Sequence, residues 1–320
     1  MNKKIVNIRA FAILIIVLGH SIILYSKSWG IYTTIIEVPL LNVLKDIINS
    51  FQLELFFALS GFLFYKSVEK GGGTCSFVRK KALRLMIPYY IIAFFWMDPI
   101  KLLLSTPGFN DVEAIKKSLG WQFLFSGSST GHLWFLPTLF LIFVFSFIFL
   151  KKIKKLNVCG FSAFVLILVF AYYIGPRIPG YFQLNNVLHY AVFFFIGYFL
   201  YYISIRIEIF RFRKGIVLCT IILSLLRVFT IYVHLLYILC LILCIYILIP
   251  NKTTKWTQLI SENSFGIYLI HSPLVYITYT YFKDCNPIFV LCLNFFVFGG
   301  ISLLLSIMIR KSRLKFILGE

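Results

Sequence analysis

Arg9-Ala10-Phe11-Ala12-Ile13-Leu14-Ile15-Ile16-Val17-Leu18-Gly19-His20-Ser21 is an apolar run bounded by a guanidinium and an imidazole. A charged side chain at the centre of a bilayer costs about 2.5–3.5 kcal/mol, so an ionisable group in such a run is a sign of function. The spacing predicts one helix with both groups on one face. Eleven positions at about 100° each complete three turns with about 20° left over. A rise of about 1.5 Å per residue then sets the two groups roughly 16 Å apart along the axis. A cation near one membrane surface and a titratable imidazole near the other, on one stripe, outline a site that runs through the bilayer.

The rest of the chain repeats the apolar pattern. Of its 320 residues 60% are hydrophobic, 19% aromatic and 13% charged, which excludes an ordinary soluble domain. Runs of about 16–22 apolar residues suffice to cross a core about 30 Å thick. Ten are read, at 5–25, 47–66, 86–104, 133–150, 158–175, 187–204, 215–233, 235–250, 264–282 and 288–309. The expected fold is an all-α polytopic membrane bundle of about ten transmembrane helices. It forms a single domain over 1–320, with its core at 5–309. The first run lacks a small-residue cleavage site and nine spans follow it, so it is read as a span and not as a cleaved signal peptide.

The net charge of +20 would suggest nucleic acid in a soluble protein. Here the cations fall between spans, so the expected partner is the lipid bilayer and not nucleic acid. With the N-terminus inside, 23 of the 31 Lys and Arg residues are cytoplasmic. Seven (Lys27, Lys45, Lys101, Lys116, Lys117, Arg177 and Lys283) fall outside, and Arg227 lies within a span. The positive-inside bias predicts that both termini are cytoplasmic. The seven cysteines are scattered. They lack metal-ligand spacing, so they read as small buried hydrophobes and no metal is expected.

Two loops stand out. Ser67 to Arg84 carries Gly71, Gly72 and Gly73 and then Arg79, Lys80, Lys81 and Arg84. Such a run is either a topology determinant or an anion site, since Arg and Lys suit phosphate. The outer stretch from Ser105 to Gly131 contains Gly120-Trp121-Gln122-Phe123-Leu124-Phe125. It either dips back into the protein or lies at the interface. Asp98-Pro99 predicts an early helix end or a kink in the third span.

Depth arithmetic gives His20 a companion. Counted from the outer span ends, His20 lies about 8 Å down and Glu54 about 10 Å down on the next helix. Ala58 and Gly61 follow Glu54 at i+4 and i+7, a small-residue face that permits close helix approach. The neutral imidazole would accept a proton while the carboxylate orients it; the plainer reading is a self-satisfied structural pair. His132 and Trp134 open the fourth span, where Trp134 also fits an interfacial aromatic belt. His271 lies mid-membrane and reads either as a site residue or as a hydrogen-bonded core histidine. Arg227 either meets an anion or snorkels. His189 and His234 lie near outer span ends and carry no assigned role.

These segments together resemble the membrane acyltransferase-3 family. Arg9 to Ser21 is similar to its Arg-x10-His segment. Glu54-Leu55-Phe56-Phe57-Ala58-Leu59-Ser60-Gly61-Phe62 looks like its acidic, FF, SGF segment, and Phe77 to Pro88 looks like its basic cytoplasmic loop. His132-Leu133-Trp134-Phe135-Leu136 and Ser264-Phe265-Gly266-Ile267-Tyr268-Leu269-Ile270-His271 resemble segments of its polysaccharide and fucose O-acetylase-like members. All five stand in family order.

The resemblance implies transfer of an acyl group, usually acetyl, from cytoplasmic acyl-CoA to a hydroxyl of a cell-surface or lipid-linked polysaccharide, with no metal. It implies a multi-pass protein of a bacterial plasma membrane. His20 is then the catalytic histidine with Glu54 beside it. Arg9 and Arg84 are then functionally important cations. From the residues themselves, Arg9, Arg84 and the basic run Arg79, Lys80 and Lys81 are expected at the CoA donor, and His132, Trp134, Arg227 and His271 at the substrate. Lys81-Ala82-Leu83-Arg84 stands where many members have Arg-x2-Arg, so the bidentate fork of one cation is lost. The SGNH esterase-like domain of some relatives is not expected. A transient acyl-histidine is the kinetic alternative to direct transfer. The competing reading is an exporter or flippase of the glycan. Transporters more often show paired interrupted helices in two halves, and no such symmetry is read here.

Overall fold

The computed structural model describes residues 3–26, 37–106, 109, 112–123, 128–152, 158–205, 208–227 and 233–320. Among these residues all regular structure is helical. In chain order the helices are α1 (Lys3–Ser21), α2 (Pro39–Asn49), α3 (Gln52–Glu69), α4 (Thr74–Ile92), α5 (Asp98–Leu103), α6 (Val112–Phe123) and α7 (Phe135–Lys152). They continue as α8 (Val158–Ile174), α9 (Leu184–Ser204), α10 (Arg213–Leu226), α11 (His234–Leu248), α12 (Lys255–Tyr281), α13 (Pro287–Cys292) and α14 (Gly299–Lys311).

Seven segments are long and apolar enough to cross a membrane: Lys3–Ser21, Pro39–Glu69, Thr74–Leu103, Gly131–Lys151, Cys159–Arg177, Tyr181–Ser204 and Pro287–Lys311. The other three expected spans are helices too. Two are short, with 14 residues in α10 and 15 in α11. The third is the 27-residue α12, whose buried side includes Ser261, Asn263, Ser264, His271 and Thr278. Exposed apolar side chains cover the outward faces of α8 (Leu166, Ile167, Phe170), α10 (Leu218, Ile221, Leu225) and α14 (Leu304, Met308). Apolar surface on that scale needs lipid against it. The chain is an all-helical membrane bundle.

Small residues set the closest packing. A Cβ at Gly61 would collide with the Phe194 carbonyl, and one at Gly197 with the Ala58 carbonyl. The α3 and α9 backbones therefore meet directly, as small residues allow in membranes. The stack of Phe57 on Tyr190 at 4.6 Å extends this seam, and the Phe64–Phe194 contact at 5.2 Å continues it. Polar side chains join other helices. Ser306 donates to Asn263 Oδ1 at 3.0 Å between α14 and α12, and Thr278 donates to Asn294 Oδ1 at 3.0 Å.

One end of the bundle is strongly basic. There Lys4 donates to the carbonyls of Tyr246 (2.6 Å) and Ile247 (3.2 Å), and Asn7 to those of Pro250 (2.8 Å) and Lys252 (2.9 Å). These are the last carbonyls of α11 and the residues just after it, where a cation offsets both unmet acceptors and the helix dipole.

Two local expectations are corrected. The segment expected as a basic loop is largely helical, because α4 begins at Thr74, directly after the glycine turn, and carries Arg79 to Arg84 on its first turns. The third span does not end at Asp98-Pro99, because the helix continues to Leu103. A π-helical turn, Ala93–Met97, widens the helix just before it. Pro99 then sits in the first turn of α5, where its missing N–H is tolerated. In the 105–131 stretch α6 is helical over Val112–Phe123, while Leu124 and Phe125 lie outside the described residues.

Candidate active site

Three histidines from distant parts of the chain meet at the end of the bundle away from the basic surface. His20 comes from the last turn of α1, His271 from the middle of α12, and His132 from a 3-10 segment, Ser128–Trp134, that leads into α7. Their ring centroids are 5.0 Å (His20–His271), 5.5 Å (His132–His271) and 6.2 Å (His20–His132) apart. His132 and His271 are buried, whereas His20 keeps part of its surface open.

The hydrogen bonds fix the tautomers. His271 Nδ1 lies 2.8 Å from the Ile267 carbonyl. A carbonyl can only accept, so this nitrogen carries the proton. Neutral His271 must then accept at Nε2, which lies 2.9 Å from His20 Nδ1. His20 therefore donates from Nδ1, and its own Nε2 holds the lone pair. Neutral His20 is thus an oriented base.

Local backbone chemistry explains why the three rings meet here. Pro273 lies within α12 two residues after His271; it has no N–H to give the Leu269 carbonyl. The carbonyls of Tyr268 and Leu269 face His132. Neither ring nitrogen of His132 completes a hydrogen bond among the described residues, although both are buried. Trp96, from the π-helical turn, donates to the Ile270 carbonyl at 3.1 Å, and Tyr268 Oη donates to the His132 carbonyl. Gly131 precedes His132 with φ +50°, and a Cβ there would press on Met97 Sδ at 3.1 Å. Only a glycine enters that turn without strain.

Two lysines flank the trio. Lys45 of α2 is 2% exposed, donates to the Gly19 carbonyl at 2.7 Å, and faces His20. Lys101 of α5 is 4% exposed; it lies over the rings of Phe109 (5.1 Å) and Tyr276 (5.4 Å) and faces Asp98 and His132. Asp98 accepts from Gln122 Nε2 at 2.9 Å on each oxygen, and Tyr89 Oη donates to the Gln122 carbonyl at 3.0 Å. Both lysines were expected as outer-loop charges. The overlooked signal is phase: Lys45 occupies the same helical stripe as Leu41 and Ile48, all three buried.

The other expected site residues separate. Glu54 is not among the ionisable groups that face His20, which are His271, Lys45 and His132. It is buried in the first turn of α3 beside Tyr172 and Tyr190. The physical reason is the α3–α9 seam, since Glu54 shares the face of Ala58 and Gly61 and so turns toward α9. Trp134 packs on Tyr190 at 5.6 Å. Arg9 is partly buried and faces Arg84 of α4, and neither forms an ion pair with a carboxylate among the described residues. Arg79, Lys80 and Arg84 are exposed. Lys81 instead lies over the Phe143 ring, 3.5 Å from its centroid. Arg227 stands at the end of α10 over the Tyr237 ring at 4.7 Å, near His234, so its contacts are with α11 and not with the histidines. Among the described residues no group of His, Cys, Asp and Glu has metal-holding geometry.

Neither the curated proteins nor the solved structures contain a match to this chain. A family model described as an acyltransferase domain, the acyltransferase-3 family, matches residues 2–311. With nearly the whole chain so matched, and with membrane-crossing helices around the histidine trio, the protein belongs to the acyltransferase-3 family and is a membrane acyltransferase.

Proposed function

We propose that the protein moves an acyl group, acetyl by default, from cytoplasmic acyl-CoA to a hydroxyl of a cell-surface or lipid-linked polysaccharide on the outer side of a bacterial plasma membrane. The reading rests chiefly on the relay from the Ile267 carbonyl through His271 to His20, which leaves the His20 Nε2 lone pair free. His20 takes the proton of the acceptor hydroxyl as its oxygen attacks the thioester carbonyl carbon. The C–O bond forms, the C–S bond breaks, and the proton passes from the imidazolium to the departing CoA sulfur. His271 holds the tautomer through this cycle, the part played by the third member of a hydrolase triad. Lys45 supplies a cation beside His20, the sign that a developing oxyanion needs. The unpartnered ring of His132 is offered to substrate.

At the basic end Arg9 and Arg84 are like charges without a carboxylate among the described residues, an arrangement that suits the phosphates of CoA. The exposed Arg79 and Lys80 add to that field. An extended pantetheine arm would bridge the roughly 16 Å along α1 between Arg9 and His20. Lys81 and Arg227, each engaged with an aromatic ring, are left out of the donor and acceptor contacts. The excess of cations at the basic end supports placing it, with both termini, in the cytoplasm.

The test is direct. Membranes given labelled acetyl-CoA should pass label to surface glycan. His20→Ala should lower that rate by on the order of 10²–10⁴ while inserting normally. Near-wild-type acylation by the variant contradicts the reading. Loss of glycan export on deletion, without any labelling, would favour a transporter.

A further inference from the structure

A second polar cluster lies beside the histidine trio, and the acyl-transfer chemistry above does not use it. Its centre is Glu54, 5% exposed, whose Oε2 is buried without a hydrogen-bond partner among the described residues. Backbone N–H groups of Leu53 and Glu54 face the carboxylate, as the start of a helix favours. No cation is among the groups that face it. Tyr172 and Tyr190 flank it. Tyr190 is held by Phe57, stacked at 4.6 Å, and by Trp134 at 5.6 Å.

Glu54 Oε2 is not alone in lacking a partner. Asn185 Oδ1 is also buried without a partner among the described residues. His189 stacks on Tyr172 at 4.5 Å, and its Nδ1 lies 3.0 Å from the Tyr172 carbonyl. That carbonyl can only accept, so the neutral ring keeps its lone pair on Nε2. Buried polar groups are normally paired, so the unmet Glu54 Oε2 suits a ligand that brings hydroxyl donors. With no cation facing it, the Glu54 carboxyl offers nothing to bind a phosphate, so the CoA head group does not suit this place. A neutral polyol suits these groups: its hydroxyls would donate to Glu54, and the apolar C–H face of a pyranose would lie on an aromatic ring.

Chain continuity joins this cluster to the chemistry. Trp134 and His132 belong to the same 3-10 segment, one ring packed on Tyr190 and the other in the histidine trio. We propose that Glu54, Trp134, Tyr172 and Tyr190 form the acceptor subsite, which binds one sugar ring and presents a neighbouring hydroxyl to His20. The inference rests on the acyl-transfer reading above for its role in the reaction. Glu54 is here a binding and positioning group for the sugar and does not orient His20.

The test uses the full chain in lipid nanodiscs with acetyl-CoA and a panel of methyl hexopyranosides. Glu54→Gln and Trp134→Phe should each raise the acceptor KM at least tenfold for the preferred glycoside, with the donor KM unchanged. In a second measurement without acetyl-CoA, that glycoside should quench tryptophan fluorescence in the wild type and in His20→Ala. The quench should be lost in Trp134→Phe and weakened at least tenfold in Glu54→Gln. Unchanged acceptor KM and quenching in both variants would overturn the subsite. A wild type that quenches through Trp134 yet transfers no acetyl would overturn the transfer reading alone and support the subsite.

Discussion

His20 takes its character from bonds made on one side of its ring. The Ile267 carbonyl holds His271, His271 holds His20 Nδ1, and the open nitrogen of His20 is the basic one. His271→Ala should therefore lower kcat by about 10²-fold or more while leaving the acyl-CoA KM unchanged, because only the oriented tautomer is lost. Steady-state kinetics in both substrates decides this; a variant with unchanged kcat would show that His20 needs no partner. His20 itself was legible in the sequence, since an imidazole in an apolar run with an arginine on its stripe is hard to explain otherwise. Its partner was not. Depth along the membrane paired it with Glu54, but depth says nothing of direction around a helix, and Glu54 shares its face with Ala58 and Gly61. His271 was visible only as one of two readings, and its role depends on a contact across 251 positions of chain. Lys45 and Lys101 were read as loop charges, though the first lies in phase with Leu41 and Ile48.

At the scale of the helix, small residues and prolines decide which faces meet. Gly61 and Gly197 bring α3 and α9 into backbone contact, and that contact turns Glu54 toward Tyr190. Gly61→Val would set side-chain atoms against the Phe194 carbonyl, which cannot move aside as a flexible side chain can. Overpacking of this kind costs about 1–3 kcal/mol or more. The thermal midpoint in detergent should fall by roughly 2–5 °C; an unchanged midpoint would show that the seam yields. The small-residue face was legible in the α3 sequence, but the choice of α9 over α1 as its partner was not. Asp98-Pro99 stays helical directly after a π-helical turn, and Pro273 matters through the Leu269 carbonyl, to which it has no N–H to give. At the C-terminus Gly319, with φ +69°, rests against the Arg84 carbonyl, to which Pro88 has no N–H to give.

For the whole molecule, composition alone gave the class, because so apolar a chain has no soluble fold open to it. Among the described residues each of the ten apolar runs carries a helix, and seven are long and apolar enough to cross on those grounds alone. The others are shorter or carry a polar buried side, a distinction that apolar runs do not reveal. Charge separation was legible as a bias, although Lys4, Lys45 and Lys101 are buried contacts and not free loop charges. On the proposed reaction, with a basic end at Arg9 and Arg84 and a histidine end about 16 Å along α1, donor and acceptor approach from opposite faces. The decisive measurement is therefore vectorial. Vesicles reconstituted with the protein in one orientation would hold labelled acetyl-CoA only on the side of the basic end, with the preferred glycoside only on the other. The account predicts labelled glycoside that falls by on the order of 10²–10⁴ with His20→Ala. Label that appears only when both substrates share one side, or transfer indifferent to His20, would contradict it.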